Sequence, residues 1–260
     1  MKKSLLIILI TALFLGCTSK KNEKKDKSHL IAINYMQTSA EVKALYYQAF
    51  NLAKLKLDTD LINSELSPNR AIVVDVDETV LVTIPYNATN FRDSRDYPKG
   101  WSEWVNEATG KAVNGSLAFL QYAEAKGVEI FYITNRRDNL LDSTYKNLKA
   151  LRFPVKKEHL FMKKDNSNKE LRRQKVLKDY RVVLYIGDNL VDFPGAFDKE
   201  FTRDIKGREA QVKKNKEKFG DKWIILPNSV YGDWENVIYN HNWNKTKEKM
   251  IKEREGILEY

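Results

Sequence analysis

The stretch AIVVDVDET, residues 71–79, joins four consecutive apolar residues to a segment that carries three carboxylates and a threonine. A short run rich in Val and Ile, without polar alternation, is typical of a parallel strand that is buried on both faces. Three similar runs follow at wide intervals, at residues 128–133, 182–186 and 223–226. Helical patterns separate them, and strands that alternate with helices predict an α/β fold with a parallel sheet.

Apolar residues at helical spacing predict helices around this sheet. They are expected at residues 39–57, 115–126, 138–151 and about 168–179. Thr38 and Glu41 have the spacing of a capping box, which predicts that Thr38 caps the first of these helices.

The alternation of strands and helices breaks directly after the first predicted strand. Residues 83–110 form a long polar segment that contains several aromatic residues. A long insertion at this place is usually functional, because loops on a rigid sheet carry many binding residues. We therefore expect a helical or loop cap at about residues 83–112. The alternative is a surface excursion whose aromatic side chains pack locally.

Polar residues follow each of the first three predicted strands. They are the segment 75–79, TNR at 134–136 and GDN at 187–189, with Asp192 close behind. Ligands of open α/β sheets bind at the carboxyl ends of strands, so the three segments are expected at one site. Carboxylates gathered there repel one another unless a cation is present. Oxygen ligands suit a hard cation that keeps some of its water, which favours Mg²⁺.

The N-terminus has the pattern of an export signal. A basic start precedes a short apolar run at residues 4–15, which is typical of a signal peptide over residues 1–16. The run ends in LFLGC, which resembles a bacterial lipobox and implies lipidation of Cys17, for example with palmitate, and cleavage before it. The alternative is a free cysteine in a signal that is cut elsewhere. Residues 17–34 are expected to form the lipidated cysteine and a flexible tether, followed by one domain at residues 35–260.

The motifs resemble those of the haloacid dehalogenase (HAD) superfamily. DVDET at 75–79 resembles its first motif, TNR at 134–136 its second and GDNLVDF at 187–193 its fourth. Together with the lipobox, they resemble the class C acid phosphatases, which are bacterial lipoproteins of this size. The similarity extends from about residue 46 to residue 239. It implies a HAD-like parallel sheet flanked by helices, with a cap inserted after the first catalytic strand, and acid phosphatase or 5′-nucleotidase activity.

The resemblance also implies a role for each aspartate. Asp75 would be the nucleophile that accepts the phosphoryl group, and it would also bind the metal. Asp77 would act as general acid and base, and its backbone carbonyl would bind the metal. Asp188 would hold the metal, one Mg²⁺ per chain, and Asp192 would orient the groups around it. Thr134 would donate a hydrogen bond to the phosphoryl group that is transferred.

The lysine of the third motif has three candidates, Lys163, Lys164 and Lys169. The spacing of Lys169 and Arg172 best matches the Lys-x-x-Arg that the family places at the start of a helix, so we favour Lys169. This lysine would stabilise the charge on the phosphoryl oxygens in the transition state. The alternative for any one of the three is an ordinary solvated surface lysine.

The class C resemblance implies a substrate class and an assembly. The substrates would be small phosphomonoesters, in particular nucleoside monophosphates that include nicotinamide mononucleotide. The base would stack between Trp101 and Tyr231, and Asn135 would contact the substrate. The alternative for both aromatic residues is a place in the hydrophobic core. The resemblance also implies a homodimer that is lipid-anchored through Cys17 in the bacterial cell envelope, at the outer membrane or the cell surface.

Other functions fit the sequence less well. The net charge of +10 lies largely in two tails, residues 20–27 and 245–254, and no nucleic-acid motif accompanies it, so no nucleic acid polymer is expected as partner. Cys17 is the only cysteine, and no Gly-x-x-x-x-Gly-Lys loop is present, which argues against cysteinyl-phosphate chemistry and P-loop NTPases. The three histidines are scattered, which argues against histidine phosphatases.

Two alternatives remain: another HAD phosphatase or phosphotransferase of narrow specificity, and a lipoprotein that binds ligands or host factors without turnover. Intact Asp75 and Asp77 argue against the second.

Overall fold

The computed structural model describes residues 27–62, 69–195, 197 and 203–260. Its strands are β1 (Arg70–Val74), β2 (Leu81–Val82), β3 (Lys111–Ala112), β4 (Glu129–Arg137), β5 (Leu160–Lys163), β6 (Arg181–Gly187) and β7 (Trp223–Ile225). Its α-helices are α1 (Lys27–Thr38), α2 (Ala40–Ile62), α3 (Ile84–Asp93), α4 (Trp101–Glu107), α5 (Ser116–Ala125), α6 (Leu141–Ala150), α7 (Glu170–Leu177), α8 (Ile205–Lys214), α9 (Asp233–Ile238) and α10 (Lys247–Glu255).

Five parallel strands form the central sheet, in the order β5-β4-β1-β6-β7. The central strand β1 lies between β4 and β6, so the three polar segments at the carboxyl ends of these strands meet at one edge. The second of them, residues 134–136, belongs to β4 itself, which extends beyond the predicted end of that strand. The register sets Val74 beside Tyr132 on one side and Ile186 on the other. This confirms the predicted α/β fold. Each of the four predicted apolar runs corresponds to a strand, and only Val128 and Leu226 fall outside the observed bounds. The short edge strand β5 was not predicted from the sequence.

Both faces of β1 are covered by hydrophobic side chains. Ile72 and Val74 belong to one buried cluster, whereas Ala71 and Val73 belong to a second cluster on the other face. A strand that is buried on both sides has no position for a solvated residue, which explains its continuous apolar run.

The first predicted helix differs from the observed one at both ends. Helix α2 extends to Ile62, five residues beyond the predicted end at residue 57. Thr38 does not cap α2, because it lies in the last turn of α1 and its hydroxyl donates to the carbonyl of Asn34 over 2.7 Å. The cap is Ser39, whose Oγ accepts a hydrogen bond from the backbone N–H of Val42 at 3.0 Å.

The tether that was predicted at residues 17–34 overlaps helix α1. Ile33 and Met36 lie on the buried side of this helix, and Ser229 Oγ donates to the carbonyl of Ala32 over 3.4 Å. The prediction is therefore wrong from Lys27 onward, because apolar residues at helical spacing allow this segment to pack on the domain. The predicted signal peptide, Cys17 and the remaining tether lie outside the described residues. Among the helices that the structure describes, none has the length and apolar character needed to cross a bilayer.

The insertion after β1 forms a small helical cap, as predicted. Helices α3 and α4 make up most of it, and the antiparallel pair β2–β3 closes its base through the partners Leu81–Ala112 and Val82–Lys111. Helix α1 packs against α3. The cap is thereby fixed close to the end of β1, at the edge of the sheet where the polar segments meet.

Candidate active site

Three aspartates form a compact group at the carboxyl end of the sheet. Asp75 follows β1 and Asp188 follows β6. Asp192 is the last residue of the short 3-10 turn Leu190–Asp192, which comes next in the chain. One carboxylate oxygen from each lies within 4.8 Å of the other two. Asp75 and Asp192 are buried, and Asp188 is half-buried. Three hard oxygen donors at this spacing suit a divalent cation such as Mg²⁺.

Burial makes this group electrostatically unfavourable without a cation. Desolvation is the largest cause that raises the pKa of Asp75, to about 7, and the negative charges of Asp192 and Asp77 add to it. Desolvation also raises the pKa of Asp188 well above its usual range, and Asp192 and Asp75 contribute. A divalent cation among the three carboxylates would favour their ionised forms.

Lys169 supplies one positive charge to the same group. Its ammonium donates to Asp75 Oδ1, and to Asp192 Oδ1 over 2.6 Å. The other Asp192 oxygen accepts from the backbone N–H of Asn189 at 3.0 Å, which fixes the orientation of that carboxylate. Burial lowers the pKa of Lys169, but Asp192 and Asp75 outweigh it and hold the pKa above its usual value. The lysine is therefore a buried cation in direct contact with the predicted nucleophile.

The other two candidate lysines lie elsewhere. Lys163 ends β5 and is half-buried, and Lys164 is exposed. The pKa of Lys163 is lowered, first by burial and then by the positive charges of Arg137 and Arg172. The geometry therefore favours Lys169 as the phosphate-binding lysine.

Arg172 holds the second polar segment in place. Its guanidinium donates to the backbone carbonyl of Thr134, and to Asn135 Oδ1 over 2.7 Å. Thr134 is buried, and its Oγ1 accepts from the backbone N–H of Arg136 at 3.1 Å. The sequence had indicated Arg172 only as part of a spacing pattern. The structure shows that it links the start of α7 to the end of β4.

The side chain of Asp77 is not part of the three-aspartate group. It pairs instead with Arg136, whose Nη2 and Nε donate to Asp77 Oδ1 over 2.8 and 3.0 Å. Any contact of Asp77 with a metal would therefore use its backbone carbonyl, as the resemblance implies. The importance of Arg136 was not recognised from the sequence, since a charged residue after a strand has no distinguishing pattern.

Trp101, the first of the two predicted base-binding residues, lies in an aromatic cluster of the cap. Trp101 stacks on Trp104 with ring centroids 5.6 Å apart and meets Tyr86 edge-on at 5.0 Å. The guanidinium carbon of Arg136 lies 5.6 Å from the Trp101 ring centroid. Trp101 is half-buried, so part of its surface remains accessible within an otherwise packed aromatic cluster.

Tyr231, the second predicted base-binding residue, is connected to the polar segment 75–79 through the buried carboxylate of Glu78. The Tyr231 hydroxyl lies 3.1 Å from Thr83 Oγ1. The Thr83 hydroxyl in turn donates to Glu78 Oε1 over 2.7 Å. Glu78 has a left-handed φ of 56° and is fully buried, and desolvation raises its pKa to about 7. Asn228 adds a second connection, since it donates to Asp188 Oδ2 over 2.8 Å and accepts from the Tyr231 backbone N–H at 3.3 Å. The sequence did not reveal these supporting residues.

Comparisons with known proteins agree with this architecture. Residues 17–234 match the family described as HAD superfamily, subfamily IIIB (acid phosphatase). A class C acid phosphatase from Bacillus anthracis has a solved structure with 42% sequence identity and a TM-score of 0.85, and the match covers 90% of this chain and 97% of that one. A class C acid phosphatase structure from Bacillus anthracis with tungstate bound shares 41% identity, with the same TM-score and coverage. The similarity thus concerns nearly the whole fold.

Proposed function

The chain belongs to the acid phosphatases of HAD superfamily subfamily IIIB, which makes it a phosphoric monoester hydrolase, and we propose that it works through a phosphorylated Asp75. The observation that carries the proposal is the contact of buried Lys169 with Asp75 and Asp192 at the carboxyl end of the sheet. A carboxylate beside a fixed cation is well suited to attack a phosphoryl group, because the cation draws the anionic substrate to it.

In the first step, a carboxylate oxygen of Asp75 forms a bond to phosphorus while the ester P–O bond breaks. The departing alkoxide takes a proton from the carboxyl group of Asp77. Lys169 donates hydrogen bonds to the phosphoryl oxygens, and the Thr134 hydroxyl donates another, so the charge that develops on these oxygens is stabilised. The products of this step are the free alcohol and an aspartyl-phosphate at Asp75.

In the second step, the Asp77 carboxylate takes a proton from a water molecule. The water oxygen forms a bond to phosphorus, and the bond between phosphorus and the Asp75 oxygen breaks. Inorganic phosphate leaves, and the carboxylate of Asp75 is restored. Asp77 is protonated again and ready for the next substrate.

The donor set fits a divalent cation, and we propose one Mg²⁺ per chain. Asp75, Asp188 and the backbone carbonyl of Asp77 would hold it, and Asp192 would orient the groups around it. Bound there, the ion supplies positive charge that offsets the negative charge of the carboxylates and the phosphoryl group. Tungstate in the Bacillus anthracis relative supports an oxyanion site in this fold, since tungstate is tetrahedral like phosphate.

Phosphate release from a panel of monophosphates tests the proposed function. We expect wild-type protein to release phosphate from nucleoside monophosphates, including nicotinamide mononucleotide, when Mg²⁺ is present. Chelation should abolish release, and added Mg²⁺ should restore it. Binding of these compounds without release of phosphate would instead support the non-catalytic alternative.

We further propose that nucleoside monophosphates bind with the base against Trp101 and Tyr231 and with Asn135 beside the substrate. Two contacts support this proposal: the Trp101 ring lies beside Arg136, and the Tyr231 hydroxyl is linked through Thr83 to Glu78 of the first polar segment. Trp101→Ala and Tyr231→Ala should each raise KM for nucleoside monophosphates about tenfold or more, which corresponds to a loss of about 1.4 kcal/mol. Hydrolysis of a small alkyl phosphate should change much less.

The matched control for this experiment is Tyr231→Phe, which keeps the ring but removes the hydroxyl beside Thr83. If the ring binds the base, Tyr231→Phe should retain a KM much closer to that of wild type than Tyr231→Ala does. Equal losses of kcat/KM on the nucleotide and the alkyl phosphate would show that the rings serve only the structure.

We propose that Cys17 is lipidated and anchors the protein in the bacterial cell envelope, on the basis of the LFLGC sequence. Cys17→Ser should prevent incorporation of labelled fatty acid and should either leave an uncleaved precursor or release the protein from the membrane fraction. A chain that begins at Lys27 keeps α1 and should retain turnover. Absence of label from the wild-type protein would refute the proposal. The family resemblance also supports a homodimer, which a monomeric mass in light scattering would contradict.

A further inference from the structure

Arg136 is a buried cation between three functional elements of the site. It lies near the end of β4 and is only 2% exposed. Nη1 donates to Thr144 Oγ1 on α6 over 3.0 Å, while the opposite edge of the guanidinium faces Asp77. The Trp101 ring lies 5.6 Å from the guanidinium carbon. Each side of this planar group therefore has a defined neighbour.

The hydrogen bonds to Asp77 are unequal. Oδ1 accepts the two shorter bonds, at 2.8 Å from Nη2 and 3.0 Å from Nε, whereas Oδ2 lies 3.3 Å from Nε. Oδ1 is thus held by Arg136, and Oδ2 is the freer oxygen. The Asp77 side chain is 18% exposed, compared with 1% for Arg136. Solvent or substrate can therefore reach the carboxylate but not the guanidinium.

This geometry does more than a structural ion pair requires. A buried pair gives little net stability, because desolvation of both charges offsets their attraction. A rigid guanidinium fork, however, fixes the plane of a carboxylate in a way that a lysine cannot. The desolvation free energy of burying Arg136 is therefore explained if the reaction requires a fixed position of the Asp77 carboxylate.

We infer that Arg136 is a positioning residue that holds Asp77 so that Oδ2 exchanges a proton with the substrate oxygen. The inference rests on the proposed function, in which Asp77 protonates the departing alkoxide. Thr144 accepts a hydrogen bond from Nη1, on the side of the guanidinium away from Asp77, and the Trp101 ring packs against the guanidinium plane. Arg136 itself need not touch the substrate, since it acts through Asp77.

The test compares substrates that differ in their need for an acid. An alkyl phosphate releases a strongly basic alkoxide, whereas p-nitrophenyl phosphate releases a stable phenolate that leaves without a proton. The rate compared is kcat/KM, because it depends on formation of the phosphorylated enzyme and not on its later hydrolysis, in which Asp77 serves every substrate alike. Arg136→Met should lower kcat/KM for the alkyl phosphate about 10²-fold, as a small misplacement of a catalytic group does. The kcat/KM for p-nitrophenyl phosphate should fall about tenfold or less. Arg136→Lys should lie between wild type and Arg136→Met.

A double-mutant cycle with Asp77→Asn shows whether Arg136 acts through Asp77. In the Asp77→Asn background, Arg136→Met should cost no more than about twofold on the alkyl phosphate, because the group that it positions can no longer donate a proton. Arg137→Met is the matched control, since Arg137 is the next residue on β4 and is exposed. It should behave as wild type on both substrates.

Equal losses of kcat/KM on the two substrates would overturn the inference and leave Arg136 a structural residue. A loss in the Asp77→Asn background as large as the loss in the wild-type background would do the same. If Arg136→Met does not fold, Thr144→Val replaces it, because that change removes the support of Nη1 and should produce a smaller loss with the same preference between substrates. A wild-type protein that hydrolyses neither ester would refute the proposed function. A wild-type protein that hydrolyses both esters, with variants that lose equally on both, would refute only the inference about Arg136.

Discussion

Asp75→Asn is expected to reduce turnover to the uncatalysed background. The amide has nearly the same shape as the carboxylate, but it cannot form the phosphorylated enzyme. It also removes one negative charge from the group that contacts Lys169 and is expected to bind Mg²⁺. Phosphate release from p-nitrophenyl phosphate at saturating Mg²⁺ measures the effect. A rate close to that of wild type would exclude Asp75 as the nucleophile.

Asp77→Asn provides the comparison for this variant. It leaves the nucleophile intact and removes only proton transfer, so we expect a loss of about 10² to 10⁴-fold with binding of phosphate esters retained. Thermal melting of both variants controls for folding. A larger loss for Asp77→Asn than for Asp75→Asn would reverse the assignment of the two roles.

Lys169→Met should have a large effect on both the stability and the activity of the protein. The ammonium of Lys169 lies between two buried carboxylates, so its removal leaves Asp75 and Asp192 without their cationic partner. Breaking a buried pair in this way typically costs about 3–5 kcal/mol. Loss of one donor to the transferring phosphoryl group should lower kcat by a further factor of about 10² to 10³.

Two measurements separate these effects of Lys169→Met. The melting temperature of the variant should fall most in the presence of a chelator and should recover partly with Mg²⁺, because a cation then offsets the carboxylate charges. The rate at saturating Mg²⁺ should remain low even when the protein is fully folded. Lys164→Met is the control, since Lys164 is exposed and should be replaceable without effect. If Lys164→Met is inactive and Lys169→Met is not, Lys169 is not the phosphate-binding lysine.

The sequence predicted the sheet and the position of the polar segments because each of these depends on local pattern. The run AIVV at residues 71–74 is continuously apolar and rich in β-branched residues, which is typical of a buried parallel strand. Its carboxyl end then places Asp75 beside the carboxyl ends of β4 and β6 and the polar residues there. The short strand β5 escaped prediction because its sequence, LFMK at residues 160–163, holds only three apolar residues and no Val or Ile.

Contacts between distant residues could not be predicted in this way. Glu78 and Tyr231 are linked through Thr83, but their separation in the chain gives no local signal. Arg136 likewise looks like any basic residue after a strand, and only the fold reveals its contacts with Asp77 and Thr144. The start of the domain was placed too late, because only the residues up to about 28 are Lys-rich and polar, whereas Ile33 is buried in helix α1.

Mass spectrometry of the acid-quenched enzyme tests the central claim most directly. Asp77→Asn should slow the second step, so a brief reaction with p-nitrophenyl phosphate and Mg²⁺ should accumulate phosphorylated protein. Peptide mapping after reduction of the acyl phosphate should locate the modification at Asp75, and the Asp75→Asn variant should carry none. A phosphoryl group on any other residue, or turnover by wild type with no phosphorylated form under any quench, would contradict the account.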